Sequence, residues 1–118
     1  KPPRIFRTNV MTIVTKLNDY QDLAATTAIY PKDKALEYLS LGLASEVGEL
    51  TGKLAKWYRK DGIYPLEDIL DELGDCLWFI SEFARQHNLK LSDLAQNNLD
   101  KLASRQARGT LQGSGDNR

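Results

Sequence analysis

The 118 residues predict an all-α fold, a bundle of four to five helices. Three observations carry that expectation. Apolar residues recur at alternating intervals of three and four along most of the chain, the period of a helix face. Beyond the N-terminal stretch, β-branched alternation never persists for even five residues, so a strand signature is missing. Breaking residues (Pro31, Gly62, Pro65, Asn88) fall between the periodic segments.

Each element follows in order. Residues 1–11, with Pro2 and Pro3 and with Met11 as the only methionine, read as an irregular arm. A first helix is expected from about Thr12 to Ile29, with Leu17, Tyr20, Leu23, Ala24 and Ala28 inside. Tyr30-Pro31-Lys32-Asp33 breaks it, and Asp33 is a suitable N-cap for the next helix. That second helix, about Lys34 to Lys60, carries Leu36, Leu39, Leu43, Val47, Leu50, Leu54 and Trp57 within a stripe less than about 90° wide. Residues 61–65 form a turn, Gly62 stopping one helix and Pro65 opening the next. The third helix, about Leu66 to His87, places Leu66, Ile69, Leu70, Leu73, Leu77, Ile80 and Ala84 on its inner side. Asn88 ends it, Ser92 caps a fourth, and Leu91, Ala95, Leu99 and Leu102 form the last stripe. The helical domain therefore spans 12–108, and the polar, Gly-rich segment 109–118 reads as a mobile tail.

Helix-interior glycines (Gly42, Gly48, Gly52, Gly74) each cost about 1 kcal/mol relative to alanine. Trp78 and Phe79 project to opposite sides of the third helix's apolar stripe. Both features suit helices buried on more than one side, so a dimer or tetramer is expected.

Composition narrows the chemistry. Sixteen basic residues balance sixteen acidic ones, which argues against nucleic acid or an anionic membrane as a partner. The longest strongly apolar run, Cys76 to Ile80, is far short of the ~20 residues that span a bilayer. No charged-then-apolar leader is read at the start, and one cysteine leaves no intrachain disulfide, so a cytoplasmic protein is expected. One histidine, His87, disfavours a His-based metal centre or a Ser-His-Asp triad. An enzyme of this composition works with carboxylates, lysines and arginines. The local charge is more telling than the sum: residues 34–75 hold five bases and nine acids, and Leu66 to Asp75 holds five acids and no base.

Glu46-Val47-Gly48-Glu49 and Glu72-Leu73-Gly74-Asp75 are two acid pairs spaced i, i+3, so each pair shares a helix face. The short turn favours an antiparallel hairpin, and Glu49 and Asp75 lie at comparable depth on either side of it. Four carboxylates would then converge. Two unit charges 4 Å apart repel by about 4 kcal/mol at an effective dielectric of 20, and Lys53 can answer only one of four. Hard oxygen ligands without His or Cys suit Mg²⁺, with Mn²⁺ as a substitute. On the fourth helix Asn98, Lys101 and Arg105 share a face, as a polyphosphate would require beside such a metal.

These segments resemble the MazG-like all-α nucleoside triphosphate pyrophosphohydrolases. Leu41 to Leu50 resembles that family's first metal-binding half and Asp71 to Trp78 its second, together giving E-x-x-E…E-x-x-D. Asn98 to Arg105 resembles its phosphate-contacting helix, and Arg108 to Arg118 its usual tail. Many members carry a double acid before the first pair; here Ser45 precedes Glu46, so no fifth acid is carried over. The resemblance implies a Mg²⁺-dependent oligomeric enzyme that splits a (deoxy)nucleoside triphosphate into monophosphate and pyrophosphate, in nucleotide-pool house-cleaning. It implies Glu46, Glu49, Glu72 and Asp75 as metal-binding and catalytic residues, and Lys53, Asn98, Lys101 and Arg105 as ligands of phosphate or sugar. Trp57 and Phe79 are the aromatics placed to stack on a base, although large aromatics at helical spacing are also ordinary core residues. The alternatives are a related hydrolase of dUTP or phosphoribosyl-ATP, and a non-catalytic helical interaction module.

Overall fold

Two long helices laid side by side set the architecture. The computed structural model describes residues 13–60 and 62–118 and contains α1 (Leu17–Ala25), α2 (Ala35–Tyr58), α3 (Leu66–Gln86) and α4 (Leu91–Ala107), with a 3-10 turn at Lys32–Lys34 leading into α2. There is no strand among the described residues. The expected arm, the expected helix start at Thr12, and Asp61 of the turn lie outside them. No helix of the described residues is long and apolar enough to cross a membrane.

At 1.5 Å per residue, the 24 residues of α2 and 21 of α3 extend about 36 and 32 Å. They run antiparallel: Lys53 meets Glu72, and Tyr38 and Gly42 meet Phe79, so positions rise on one helix as they fall on the other. Shorter α1 lies on α3 and on the start of α4, and α4 touches α1 and α3 but not α2.

The face turned inward is not the leucine stripe. Toward α3, α2 presents Ala35, Leu39, Gly42, Glu46 and Lys53, while α3 answers with Ile69, Glu72, Cys76 and Phe79. These residues keep the three-four spacing, but their line is rotated by about 70° on α2 and about 90° on α3 from the expected stripes. Of the second helix's expected core, Leu39 is fully buried and Leu43, Leu50, Leu54 and Trp57 are half-buried, whereas Leu36 stays 45% exposed; on the third, Ile69 and Ala84 are buried, whereas Leu66, Leu73, Leu77 and Ile80 are exposed. Phe79, set apart by the sequence reading as off-stripe, is the aromatic that seals the hairpin. It can do so because Gly42 faces it: a Cβ there would stand 3.0 Å from Cδ1 of the ring and nearer still to Cε1 and Cζ. The other helical glycines, Gly48, Gly52 and Gly74, have nothing within 4 Å of such a Cβ, so close approach within the chain accounts only for Gly42.

Helix ends differ from the expectation for local reasons. The first helix stops at Ala25 because the hydroxyls of Thr26 and Thr27 donate to the carbonyls of Leu23 and Ala24 at 2.6 and 2.7 Å. Asp33 does not cap α2; it lies inside the 3-10 turn, and Lys34 precedes the helix without a side-chain cap. Asn88, with φ 57°, takes the left-handed position after α3, and Leu89 N–H bonds back to Ala84 O at 2.9 Å. Ser92 is not the cap of α4. The first N–H groups of that helix are satisfied from α1 instead: Leu91 N–H donates to Gln21 Oε1 at 3.0 Å and Ser92 N–H to Asn18 Oδ1 at 3.0 Å.

Two polar clusters brace the far end of the hairpin. Glu82, fully buried, accepts from Tyr30 Oη at 2.6 Å and from Arg85 at 2.7 and 2.9 Å. Burial pushes this carboxyl up, but Arg85 and Tyr30 hold it below its ordinary range. Trp78 donates to Thr27 Oγ1 at 2.8 Å, tying the loop after α1 to α3. The segment 109–118 curls back over the end of α4: Thr110 N–H bonds to Arg105 O at 2.8 Å, and Arg118 donates to Thr110 O and Gly115 O at 3.1 and 2.6 Å.

Candidate metal and nucleotide site

Beyond the Gly42–Phe79 contact, the same inward line of α2 and α3 carries Glu46 and Glu72, with Asp75 exposed beside them. One carboxylate oxygen from each of Glu46, Glu72 and Asp75 lies within 4.8 Å of the others. Glu72 is 6% exposed, and its Oε2, like Oε2 of Glu46, is buried without a hydrogen-bond partner. Buried acceptors left unpaired are rare in a folded chain.

The other Glu72 oxygen is engaged. Lys53 Nζ donates to Oε1 at 2.7 Å, and this hydrogen bond, ahead of the contact with Glu46, holds Glu72 below its ordinary range. Glu46 is driven the other way, to about 7, first by its hydrogen bond with Glu72, then by burial and by the charges of Asp75 and Glu49. Of the two, Glu46 is thus the acid that holds its proton more readily, while Lys53 answers the charge of Glu72. Glu49 is exposed at the margin of this group, close enough to act on both Glu46 and Glu72. Cys76, buried alongside, has its thiol pushed up by burial and then by the neighbouring acids, so it stays protonated.

The donor set fits a hard divalent cation. It consists of carboxylate oxygens alone, two of them buried and unpartnered, and a cation there would satisfy both and favour the ionised form of Glu46.

Beyond Lys53 the hairpin opens into a cavity of about 250 Å³ lined by Lys53, Lys56, Trp57, Ile63, Pro65 and Asp68. Trp57 forms one wall, edge-packed on Tyr58 and Tyr64 with centroids 5.0 Å away in each case. Lys53 thus stands between acids and cavity. Sequence reasoning reached Lys53 and Trp57 but passed over Asp68, Lys56, Ile63 and Pro65. The available signal was the acid run after Pro65, in which Asp68 stands one helical turn before Glu72.

The remaining expected ligands lie elsewhere. Phe79, expected as a stacking surface, is 7% exposed and sealed against Gly42 and Tyr38, so it is a core residue here. Asn98 is exposed on α4, which does not touch α2 and so does not reach Glu46 and Glu49 through that helix. Lys101 Nζ lies 3.6 Å from Asp116 Oδ1. Arg105, expected as an open phosphate ligand, is 5% exposed beneath the tail; its Nη2 faces Asp116 Oδ1 at 3.5 Å and the carbonyls of Asp116 and Gly115 at 3.4 and 3.5 Å. An aspartate and two carbonyls occupy the guanidinium where an anion was expected.

Comparison with known proteins gives concordant results. Residues 34–109 match the family model described as the MazG nucleotide pyrophosphohydrolase domain. The chain is 44% identical over 109 residues to the "Gene 37 protein" of Mycobacterium phage L5, an alignment covering 84% of this chain and 96% of that relative. No solved structure matches. The matched segment contains α2, α3 and α4 entire, with both acid pairs on it, and the chain belongs to the MazG nucleotide pyrophosphohydrolase family.

Proposed function

We propose that the protein is a Mg²⁺-dependent hydrolase that cleaves (deoxy)nucleoside triphosphates to nucleoside monophosphate and pyrophosphate, removing unwanted nucleotides from the cytoplasmic pool. The observation that carries this reading is the pair of buried, unpartnered oxygens of Glu46 and Glu72 meeting Asp75 at the hairpin interface. A scaffold has no use for such an arrangement, because unlike leucines these acids weaken the packing they interrupt.

When bound, Mg²⁺ or Mn²⁺ supplies a water of lowered pKa and neutralises charge on the phosphate oxygens. Glu46, Glu72 and Asp75 would hold the metal. Glu49, exposed at the margin of the group, accepts at its carboxylate the proton of the attacking water. That water's oxygen bonds to the α-phosphorus, the bond from this phosphorus to the α–β bridging oxygen breaks, and its electron pair leaves with pyrophosphate. Lys53 donates to Glu72 in the free protein and turns to the phosphates when a cation takes its place. The flanking cavity, at about 250 Å³, is smaller than the roughly 300–1,000 Å³ of a whole-ligand site, and so takes one end of a nucleotide.

The reading includes a second copy of the chain. Leu36, Leu41, Val47, Leu73, Leu77 and Ile80 are exposed on the outer faces of the hairpin, and Leu99 and Leu102 on α4. Stripes of this kind bury against another copy in a homodimer or tetramer, which also lets Asn98 and Lys101 of one chain approach the acids of its partner.

The test is a panel of nucleoside triphosphates incubated with the full chain and Mg²⁺, products being separated by ion exchange. Monophosphate with pyrophosphate is expected; diphosphate with phosphate, or no cleavage at all, overturns the reading. Glu49→Ala and Glu72→Gln should abolish cleavage, and Glu72→Gln the calorimetric signal of Mg²⁺ binding, with helicity by circular dichroism unchanged. Loss of helicity in step with activity would instead make these acids structural.

A further inference from the structure

The cavity beyond Lys53 has a chemistry of its own. Its six lining residues combine an indole (Trp57), two apolar side chains at an open edge (Ile63, 90% exposed, and Pro65), two ammonium groups (Lys53, Lys56) and one carboxylate (Asp68). Asp68 belongs to the first turn of α3, four residues before Glu72 and so about 6 Å from it along the axis. Its charge is felt by Lys53, yet Lys53 spends its short hydrogen bond on Glu72. A carboxylate that lines a cavity beside an indole, with no hydrogen bond from another described residue, is an acceptor open to a donor on a ligand.

Resting on the hydrolase reading above, we propose that this cavity takes the nucleobase, and that Asp68 selects bases carrying an exocyclic amino group over uracil and thymine. The ring lies against Trp57. Lys53, at the junction of cavity and acids, marks where the phosphate chain leaves. The separation between Asp68 and Glu72, one helical turn, leaves room for a sugar between base and phosphate. An ionised carboxylate only accepts hydrogen bonds. It therefore pairs with N6 of adenine and N4 of cytosine, and with guanine through the N1–H and N2 amino edge, and it repels the O4 carbonyl that uracil and thymine present where adenine and cytosine carry the amino group. Neither Lys53 nor Lys56 makes this distinction, because cations answer the phosphates that all five substrates share.

The experiment measures kcat/KM for dATP, dCTP, dGTP, dTTP and dUTP with the full chain and Mg²⁺. It is repeated for Asp68→Asn and Asp68→Ala, and the ratio of amino-bearing to oxo substrates is compared. Contacts to phosphate and metal cancel in that ratio. The wild-type ratio is expected at about tenfold in favour of amino-bearing bases, the low end for one carboxylate at an exposed rim. Asp68→Ala should bring it near one. Asp68→Asn, whose amide can donate to O4, should raise the relative rate on dTTP and dUTP further. Calorimetric affinities for dAMP, dCMP, dTMP and dUMP should follow the same order, which reads the base preference without turnover. A wild type that shows no preference, or a ratio unmoved in both variants, overturns the role of Asp68 while leaving the hydrolase reading intact. Absence of cleavage with the monophosphate ranking preserved would sink the hydrolase reading and keep the base site.

Discussion

Replacing Gly42 by alanine tests how the fold builds its site. Elsewhere in an exposed helix the change stabilises, by about 1 kcal/mol, because alanine loses less backbone freedom on folding. At position 42 the new methyl would meet Phe79, standing 3.0 Å from Cδ1 and nearer to Cε1 and Cζ, where carbon contacts settle at about 3.5–4.0 Å. The ring has little room to retreat: Tyr38 and Trp78 pack on it with centroids at 5.9 and 5.0 Å, and Tyr30 stacks on Tyr38 at 5.2 Å. Overpacking costs roughly 1–3 kcal/mol, and with the ring held in place this contact belongs to the upper part of that range, about 2–3 kcal/mol, so after the helix gain a net loss of about 1–2 kcal/mol is expected. That corresponds to a fall in Tm of roughly 5–10 °C. The consequence reaches the acids, since Gly42 is one turn from Glu46 and Phe79 one turn from Asp75. Forcing the helices apart there separates oxygens that now lie within 4.8 Å, and calorimetric Mg²⁺ affinity should fall with the Tm. Gly48→Ala, Gly52→Ala and Gly74→Ala, whose Cβ atoms meet nothing in this chain, provide the comparison. A Gly42→Ala protein as stable as wild type or more so, with unchanged Mg²⁺ binding, would refute the reasoning. Recovery of stability in Gly42→Ala/Phe79→Leu would support it.

Other expectations concern charge and assembly. Glu46, raised from 4.5 to about 7, lends its stability in the metal-free protein fully below about pH 4.5, and that contribution is lost as pH rises through 7. Mg²⁺ needs the ionised form, so its binding should weaken below pH 7 with uptake of a proton on release; calorimetry in two buffers of different ionisation enthalpy measures that proton. Lys53→Met removes the cation bound at 2.7 Å to Glu72. Binding of Mg²⁺ alone should tighten several-fold because the ligand oxygen is freed, whereas KM for the triphosphate should rise; a fall in both affinities would make Lys53 merely structural. Leu73→Asp or Leu77→Asp, on the exposed stripe of α3, should shift the sedimenting species to a monomer at unchanged helicity. A wild type that already sediments as a monomer would remove the second copy from the proposal.

The four helices and the depth at which Glu46 meets Glu72 and Asp75 were legible from residue order alone, whereas Glu49 stays outside that group. Three-four periodicity and a short turn are local properties, and they constrain an antiparallel pair tightly. Which line of each helix turns inward was not legible. Periodicity shows that a leucine stripe needs cover, but it carries no information about what provides it. Only the tertiary structure shows the hairpin closing on the line of Leu39, Gly42 and Glu46 against Glu72, Cys76 and Phe79, with Leu36, Leu66, Leu73 and Leu77 left outside. Gly42 and Phe79 complement each other in shape across 37 residues of sequence, a relation no window of residues contains. The same holds for Arg105, whose spacing advertised a phosphate ligand until Asp116, brought back by the curled tail, was found lying on it.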